Sequence, residues 1–276
     1  MTTSPDTTPL GALLAGRTRD GDRVRFTVGA DWQQGRTLFG GLLSSLAVQA
    51  MRDVCGSDWP LRALQTSFVG PVAPGAFEVE VTLLRQGKNV RQVQARIVQP
   101  EAGGQAVTAG ALLAVFGGPR DSSLPALTMT QPPVDKSIDT ALQMPFIPGL
   151  TPNFTQHLDF RLAAGGIPFT GADSWESRTY IRLKDVGGVE PELLSVMLAD
   201  AGPTPALARL KGFAPASSVS WALELRPVPD ADPAGHWRMD KDALVTGEGY
   251  VNERTALWTP DGRLAGLGYQ VVAVYA

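Results

Sequence analysis

Arg36-Thr37-Leu38-Phe39-Gly40-Gly41-Leu42-Leu43-Ser44-Ser45-Leu46-Ala47 sets two glycines directly before an apolar run with helical spacing. Leu42, Leu43, Leu46, Ala47 and Ala50 cover more than one face of that helix, and Ser44, Ser45 and Gln49 leave only a thin polar stripe. The pattern predicts a helix buried almost all round. Such a helix needs a sheet wrapped around it. Strand candidates follow at 64–69, 77–83, 90–98 and 109–116, each ending at Gly, Pro or polar turn residues. One long helix followed by an antiparallel meander is therefore expected, an α+β plan.

The plan occurs twice. After Phe116 the text changes to Gly117-Gly118-Pro119-Arg120, then to a Pro-rich, weakly periodic stretch through Pro132-Pro133, Pro145 and Pro152. Residues 120–165 are expected to form a connector between a unit at 1–119 and a second at 166–276. Beyond it come a strand candidate at 175–183, a nearly all-apolar helix at 192–201, and strands at 217–225, 243–252, 255–258 and 264–274. Pro260-Asp261-Gly262 reads as a tight hairpin turn. Gly70-Pro71 and Arg226-Pro227 fall at matching places in the two units. The 276 residues suit two cores of roughly 130 residues each.

Lys and Arg total 24 against 27 Asp and Glu, a net charge of −3, so there is no basic field for nucleic acid or an anionic membrane. Any anionic ligand must be met locally. Arg85, Lys88 and Arg91 could meet one, although solvated strand residues are the preferred reading. The single cysteine, Cys55, cannot form an internal disulfide. The first residues lack the basic flank and apolar core of a signal peptide, and no apolar run approaches the roughly 20 residues of a membrane span. A soluble, cytoplasmic protein is expected.

Phe39-Gly40-Gly41 before a helix, Leu64-Gln65-Thr66-Ser67-Phe68 before Gly70-Pro71, and Leu84-Arg85-Gln86-Gly87-Lys88 opening a strand resemble the acyl-CoA thioesterase II family, whose members are double hotdogs. The second half resembles the same family. Asp200, Ser218 and Gln270 stand where the family carries its Asp, its Thr or Ser, and its Gln. The likeness spans about residues 20–118 and 175–276. This chain departs from better-known members at Gln65, where they often carry His, and at Ser220-Trp221, where they carry an Asp-His pair. The resemblance implies a tandem double hotdog, two long helices each wrapped by an antiparallel sheet. It also implies hydrolysis of an acyl-CoA by an activated water, without metal or cofactor, in a homodimer.

Asp200 is an acid at the end of an apolar helical pattern, where burial raises basicity and a water could be held and deprotonated. A solvated helix-end Asp beside Gly202-Pro203 is the bland alternative. Ser218 and Gln270 would orient that water, although Ser217 lies next to Ser218 and a one-residue slip exchanges which of them faces inward. Gly40 and Gly41 open a helix whose free N–H groups could receive an oxyanion, and Gly187-Gly188 precede the second helix in the same way. Close packing explains such glycines equally well. Ser44, Ser45 and Leu113 fall near the places that match Asp200 and Gln270, which makes the first unit a degenerate partner. His157 in the connector and His236 in a turn read as surface or structural groups, and Cys55 as a packed small residue. Neither a Ser-His-Asp arrangement nor a metal-ligand cluster is visible. The rivals to a thioesterase are an acyl-CoA-binding protein without turnover and a hotdog hydratase or dehydratase, which normally needs a His beside an Asp.

Overall fold

The computed structural model describes residues 7–56, 58–100 and 106–276. The N-terminal half contains α1 (Leu10–Ala15), β1 (Thr18–Asp20), β2 (Arg23–Val28), β3 (Gln33–Gln34), β4 (Thr37–Leu38), α2 (Gly40–Cys55), β5 (Leu61–Phe68), β6 (Gly75–Gln86), β7 (Val90–Pro100) and β8 (Ala106–Gly117). After it come β9 (Leu142–Met144), β10 (Leu158–Gly165), β11 (Glu176–Leu183), α3 (Pro191–Asp200), β12 (Ala216–Leu225), β13 (Trp237–Gly247), β14 (Tyr250–Trp258) and β15 (Leu264–Val274). The apolar run behind Gly40-Gly41 is α2, buried continuously from Gly41 to Val48. Helix α3 begins on Pro191, whose missing N–H costs nothing in the first turn, and buries Leu193 through Ala199.

Both helices lie on one face of a single antiparallel sheet. Its order is β2-β6-β7-β8-β5 in the first unit and β11-β13-β14-β15-β12 in the second, the same sequence of roles read from the two ends. The units join where β5 pairs with β12, Thr66 opposite Trp221. Helices α2 and α3 run antiparallel beneath that seam: Ser45 Oγ donates to Leu193 O at 2.9 Å, and the Arg52 guanidinium pairs with Glu192. The tandem double hotdog expected from the sequence is the observed fold.

Two local expectations fail. The stretch 120–165, read as a connector, carries β9 and β10, which extend the sheet beyond β11. Leu158, Phe160 and Leu162 face the core in alternation with Asp159 and Arg161, a period-two signal that the proline-rich text around it obscures. Residues 153–157 pack on the first unit, Asn153 donating to Ala30 O and Phe154 stacking on Phe39, while 132–138 are tied to the outer face of the second. Arg238 donates to Pro132 O, Tyr180 to Lys136 O and Arg161 to Ile138 O. The second failure is 243–252, which is not one strand. Glu248 and Gly249 both take positive φ, 53° and 79°, and the chain reverses there between β13 and β14 with Gly247 opposite Tyr250. Among the described residues no helix is long and apolar enough to cross a membrane.

Candidate active site

Helix α3 ends at Asp200 because Gly202-Pro203 follows, and Pro203 cannot continue the ladder. Its carboxylate is partly buried against the start of α2. Gln270 on β15 points to the same place and donates through Nε2 to Asp200 Oδ1 at 2.7 Å and to Ser218 Oγ at 2.7 Å. One amide thus ties the acid to the hydroxyl. The Ser218 hydroxyl accepts from Gln270 and keeps its own proton to donate.

A β-bulge decides which serine enters. Trp221, Leu223 and Leu225 face the core, and simple alternation from them would send Val219 and Ser217 inward. The register instead passes from Ser220 opposite Val271 to Ser218 opposite Val272, leaving Val219 as the extra residue. Val219 turns out to solvent, Ser218 turns in beside Gln270, and Ser217 stays exposed.

The glycines of the other unit complete the site. The Gly41 N–H faces the Asp200 carboxylate and favours its charged form. A methyl group on Gly40 would lie 2.8 Å from Phe68 Cε1 and 3.0 Å from Asp200 Oδ2, and one on Gly41 would lie 2.7 Å from Met197 O. Only residues without a Cβ allow α2 to start this close to the acid. The start of α3 is the opposite end of a ten-residue helix, roughly 14 Å from Asp200. There α1 packs so tightly that a Gly11 methyl would overlap Gly187 O, and Glu192 accepts from Leu61 N and Arg52. Of the two helix starts, that of α2 faces the acid.

Removal from water raises the pKa of Asp200, Lys241 lowers it, Gln270 lowers it, Glu253 raises it and the Gly41 N–H lowers it, with the outcome pushed up to about 6. The sequence reading missed Lys241 and Glu253, which are 2% and 1% exposed. The signal was present in the alternation Met239-x-Lys241 and Val251-x-Glu253-x-Thr255, which sets charged residues at inward positions.

Other sequence candidates lie elsewhere. Leu113 is 45% exposed and faces away from the helices, so it is not the positional counterpart of Gln270; the inward residues of β8 there are Leu112 and Ala114. Ser45 is engaged by Leu193 O. His157, read as a surface or structural group, is buried: its ring stacks on Trp32 with centroids 3.8 Å apart, and Nε2 lies 3.0 Å from Asp31 Oδ2. His236 Nε2 lies 3.0 Å from Asp159 Oδ2, among Arg161 and Arg182. Cys55 packs half-buried against the core, and burial pushes its thiol up. Arg91 donates to Cys55 O, whereas Arg85 and Lys88 are exposed. Among the described residues no cluster of three His, Cys, Asp or Glu could hold a metal ion.

The acyl-CoA thioesterase N-terminal domain model matches residues 28–117, and the acyl-CoA thioesterase C-terminal domain model matches residues 138–274. No curated protein matches by sequence. Among solved structures, the chain is similar to a conserved protein of unknown function with a hot dog fold from Alicyclobacillus acidocaldarius, at 18% identity and TM-score 0.82, covering 98% of this chain and 99% of that one. It is similar to a putative thioesterase II from Thermobifida fusca at 18% identity and TM-score 0.80, covering both chains fully at 100%. The dehydratase domain of RzxB from Pseudomonas fluorescens shares the fold at 14% identity and TM-score 0.62, covering 98% of this chain and 100% of that one. With both domain models matched in order along a double hotdog, the chain belongs to the acyl-CoA thioesterase family.

Proposed function

We propose that the protein hydrolyses an acyl-CoA thioester by direct attack of water. The observation that carries the reading is the contact chain Ser218–Gln270–Asp200–Gly41, an acid of raised pKa held by an amide, a hydroxyl and a helix start. Asp200 as carboxylate takes a proton from water while the water oxygen bonds to the thioester carbon. Gln270 and Ser218 orient that water. The carbonyl oxygen gains negative charge at the start of α2, where Gly41 already supports the base and the Gly40 N–H remains to meet the oxyanion. Collapse of the tetrahedral species breaks the C–S bond, and Asp200 returns its proton to the departing thiolate.

Two alternatives find less support. A hydratase or dehydratase needs a histidine beside its acid, and both histidines are held by other aspartates, His157 by Asp31 and His236 by Asp159. A binding protein without turnover has no need of a base with a raised pKa. Thiol release measured over acyl-CoAs of graded chain length tests the proposal; absence of release from every thioester, with binding intact, overturns it.

The proposal extends to a homodimer in the cytoplasm. A groove crosses the outer face of the sheet at the seam, on the side away from α2 and α3, lined by Gln65, Ser67, Leu113, Tyr269 and Val271. Leu113, Tyr269 and Leu244 are about half exposed there. Covering such a face with a second copy is the simplest closure. A monomeric mass by light scattering at micromolar concentration overturns the dimer.

A further inference from the structure

Lys241 on β13 and Glu253 on β14 are charged side chains deep in the core, 2% and 1% exposed. Lys241 Nζ lies 2.6 Å from Glu253 Oε1 and donates to Gly202 O at 3.0 Å. Glu253 Oε2 has no hydrogen-bond partner among the described residues. As a device for stability this arrangement is poor, because the desolvation of two ions offsets most of their attraction and an apolar pair of similar volume does as well or better. Its placement is specific. Gly202 is two residues past Asp200, in the turn that ends α3, and its backbone packs on Met239 and on the Lys241 stem. Glu253 is the direct register partner of Gln270, the residue that holds Asp200.

The pair therefore reaches the base indirectly from two sides, through the turn behind it and through the strand beside its amide. The groups facing Asp200 are few. Helix α2 presents Gly40 and Gly41, β12 presents Ser218 and β15 presents Gln270, all neutral; the charges come from Lys241 on β13 and Glu253 on β14.

We propose that Lys241 and Glu253 are positioning residues for thioester hydrolysis: Lys241 anchors the Gly202 turn behind Asp200, and the two buried charges together set how readily Asp200 gives up and regains its proton. The inference rests on Asp200 acting as the base. Lys241 favours the carboxylate and Glu253 opposes it, so removing either one alone moves the base in opposite directions, and removing both nearly restores it.

The test is the pH dependence of kcat/KM for full-length wild type, Glu253→Gln, Lys241→Met and the double variant, with Asp200→Asn as reference. The acid-side midpoint should fall by about one pH unit in Glu253→Gln and rise by about one unit in Lys241→Met. The double variant should return to within about half a unit of wild type. Glu253→Gln keeps an acceptor for Lys241, and the double variant buries no lone charge, so those two carry the test if Lys241→Met fails to fold. Midpoints that stay at the wild-type value while only the plateau drops, with Asp200→Asn inactive, overturn the positioning role and leave the base in place. Full turnover by Asp200→Asn overturns both.

Discussion

Asp200 sits between opposing influences. Exclusion of water favours the neutral acid, whereas Lys241, Gln270 and the Gly41 N–H favour the carboxylate, and the balance lies near 6. A base must be deprotonated, so activity should rise as pH climbs through about 6 and level off above it; a kcat/KM profile without a limb in that region would contradict the assignment. Stability should follow the opposite course. The folded protein holds this proton more tightly than an unfolded chain with the ordinary value of 3.8, so the stabilisation linked to Asp200 is complete below about 4 and is lost as pH rises through about 6. Asp200→Asn should therefore abolish turnover, and at pH 7.5 it should unfold in urea at higher concentration than wild type, by about 1–2 kcal/mol. That figure is discounted for the acceptor that the amide removes from the Gly41 N–H. The stability gain should vanish near pH 4. An Asn variant less stable than wild type at pH 7.5 would mean that Asp200 is kept for structure.

At the scale of elements, the bulge in β12 and the start of α2 make the site. If the bulge sets the phase as observed, Ser218→Ala should lower kcat about tenfold to thirtyfold through loss of one hydrogen-bonding group, with KM little changed. Ser217→Ala should be silent. The reverse pattern in a kinetic comparison would mean that β12 runs in plain alternation. The two glycines should separate in the same way. The methyl in Gly41→Ala meets the fixed Met197 carbonyl at 2.7 Å, so its cost falls on folding, about 1–3 kcal/mol by thermal or urea denaturation. The methyl in Gly40→Ala meets the Phe68 ring and Asp200 Oδ2, both on side chains, so that variant should fold and turn over slowly. These features differ in how far the sequence announces them. Helices α2 and α3 and most of the inner strands are legible because their apolar period spans ten or more residues or repeats cleanly. The bulge is not, since one extra Val leaves composition and run length unchanged while exchanging the two serines. Asp200, Ser218 and Gln270 were legible through the repeat and the family resemblance. Lys241 and Glu253 were not, because charged strand residues ordinarily face water and these two are buried.

At the scale of the whole molecule, the site belongs to neither unit. Asp200, Ser218 and Gln270 come from the second half, and the helix start that touches Asp200 comes from the first, some 160 residues earlier in the chain. No local pattern in the sequence could show that meeting; it follows from two copies of one plan placed antiparallel. The seam is extensive. It includes the β5–β12 ladder, the α2–α3 packing with Ser45 on Leu193 and Arg52 on Glu192, the contact of Gly11 with Gly187, and the stacking of His157 on Trp32. Cutting the chain after residue 119 should leave two fragments that each expose a sheet edge and an apolar helix face, a state prone to aggregate. The 120–276 fragment holds every side chain of the proposed machinery and lacks the N–H groups of α2, so it should be inactive alone. Expressed together, the two fragments should associate and recover thiol release, because the seam needs no covalent link. Turnover by the isolated 120–276 fragment would show that the first unit is dispensable and would remove Gly40 and Gly41 from the mechanism.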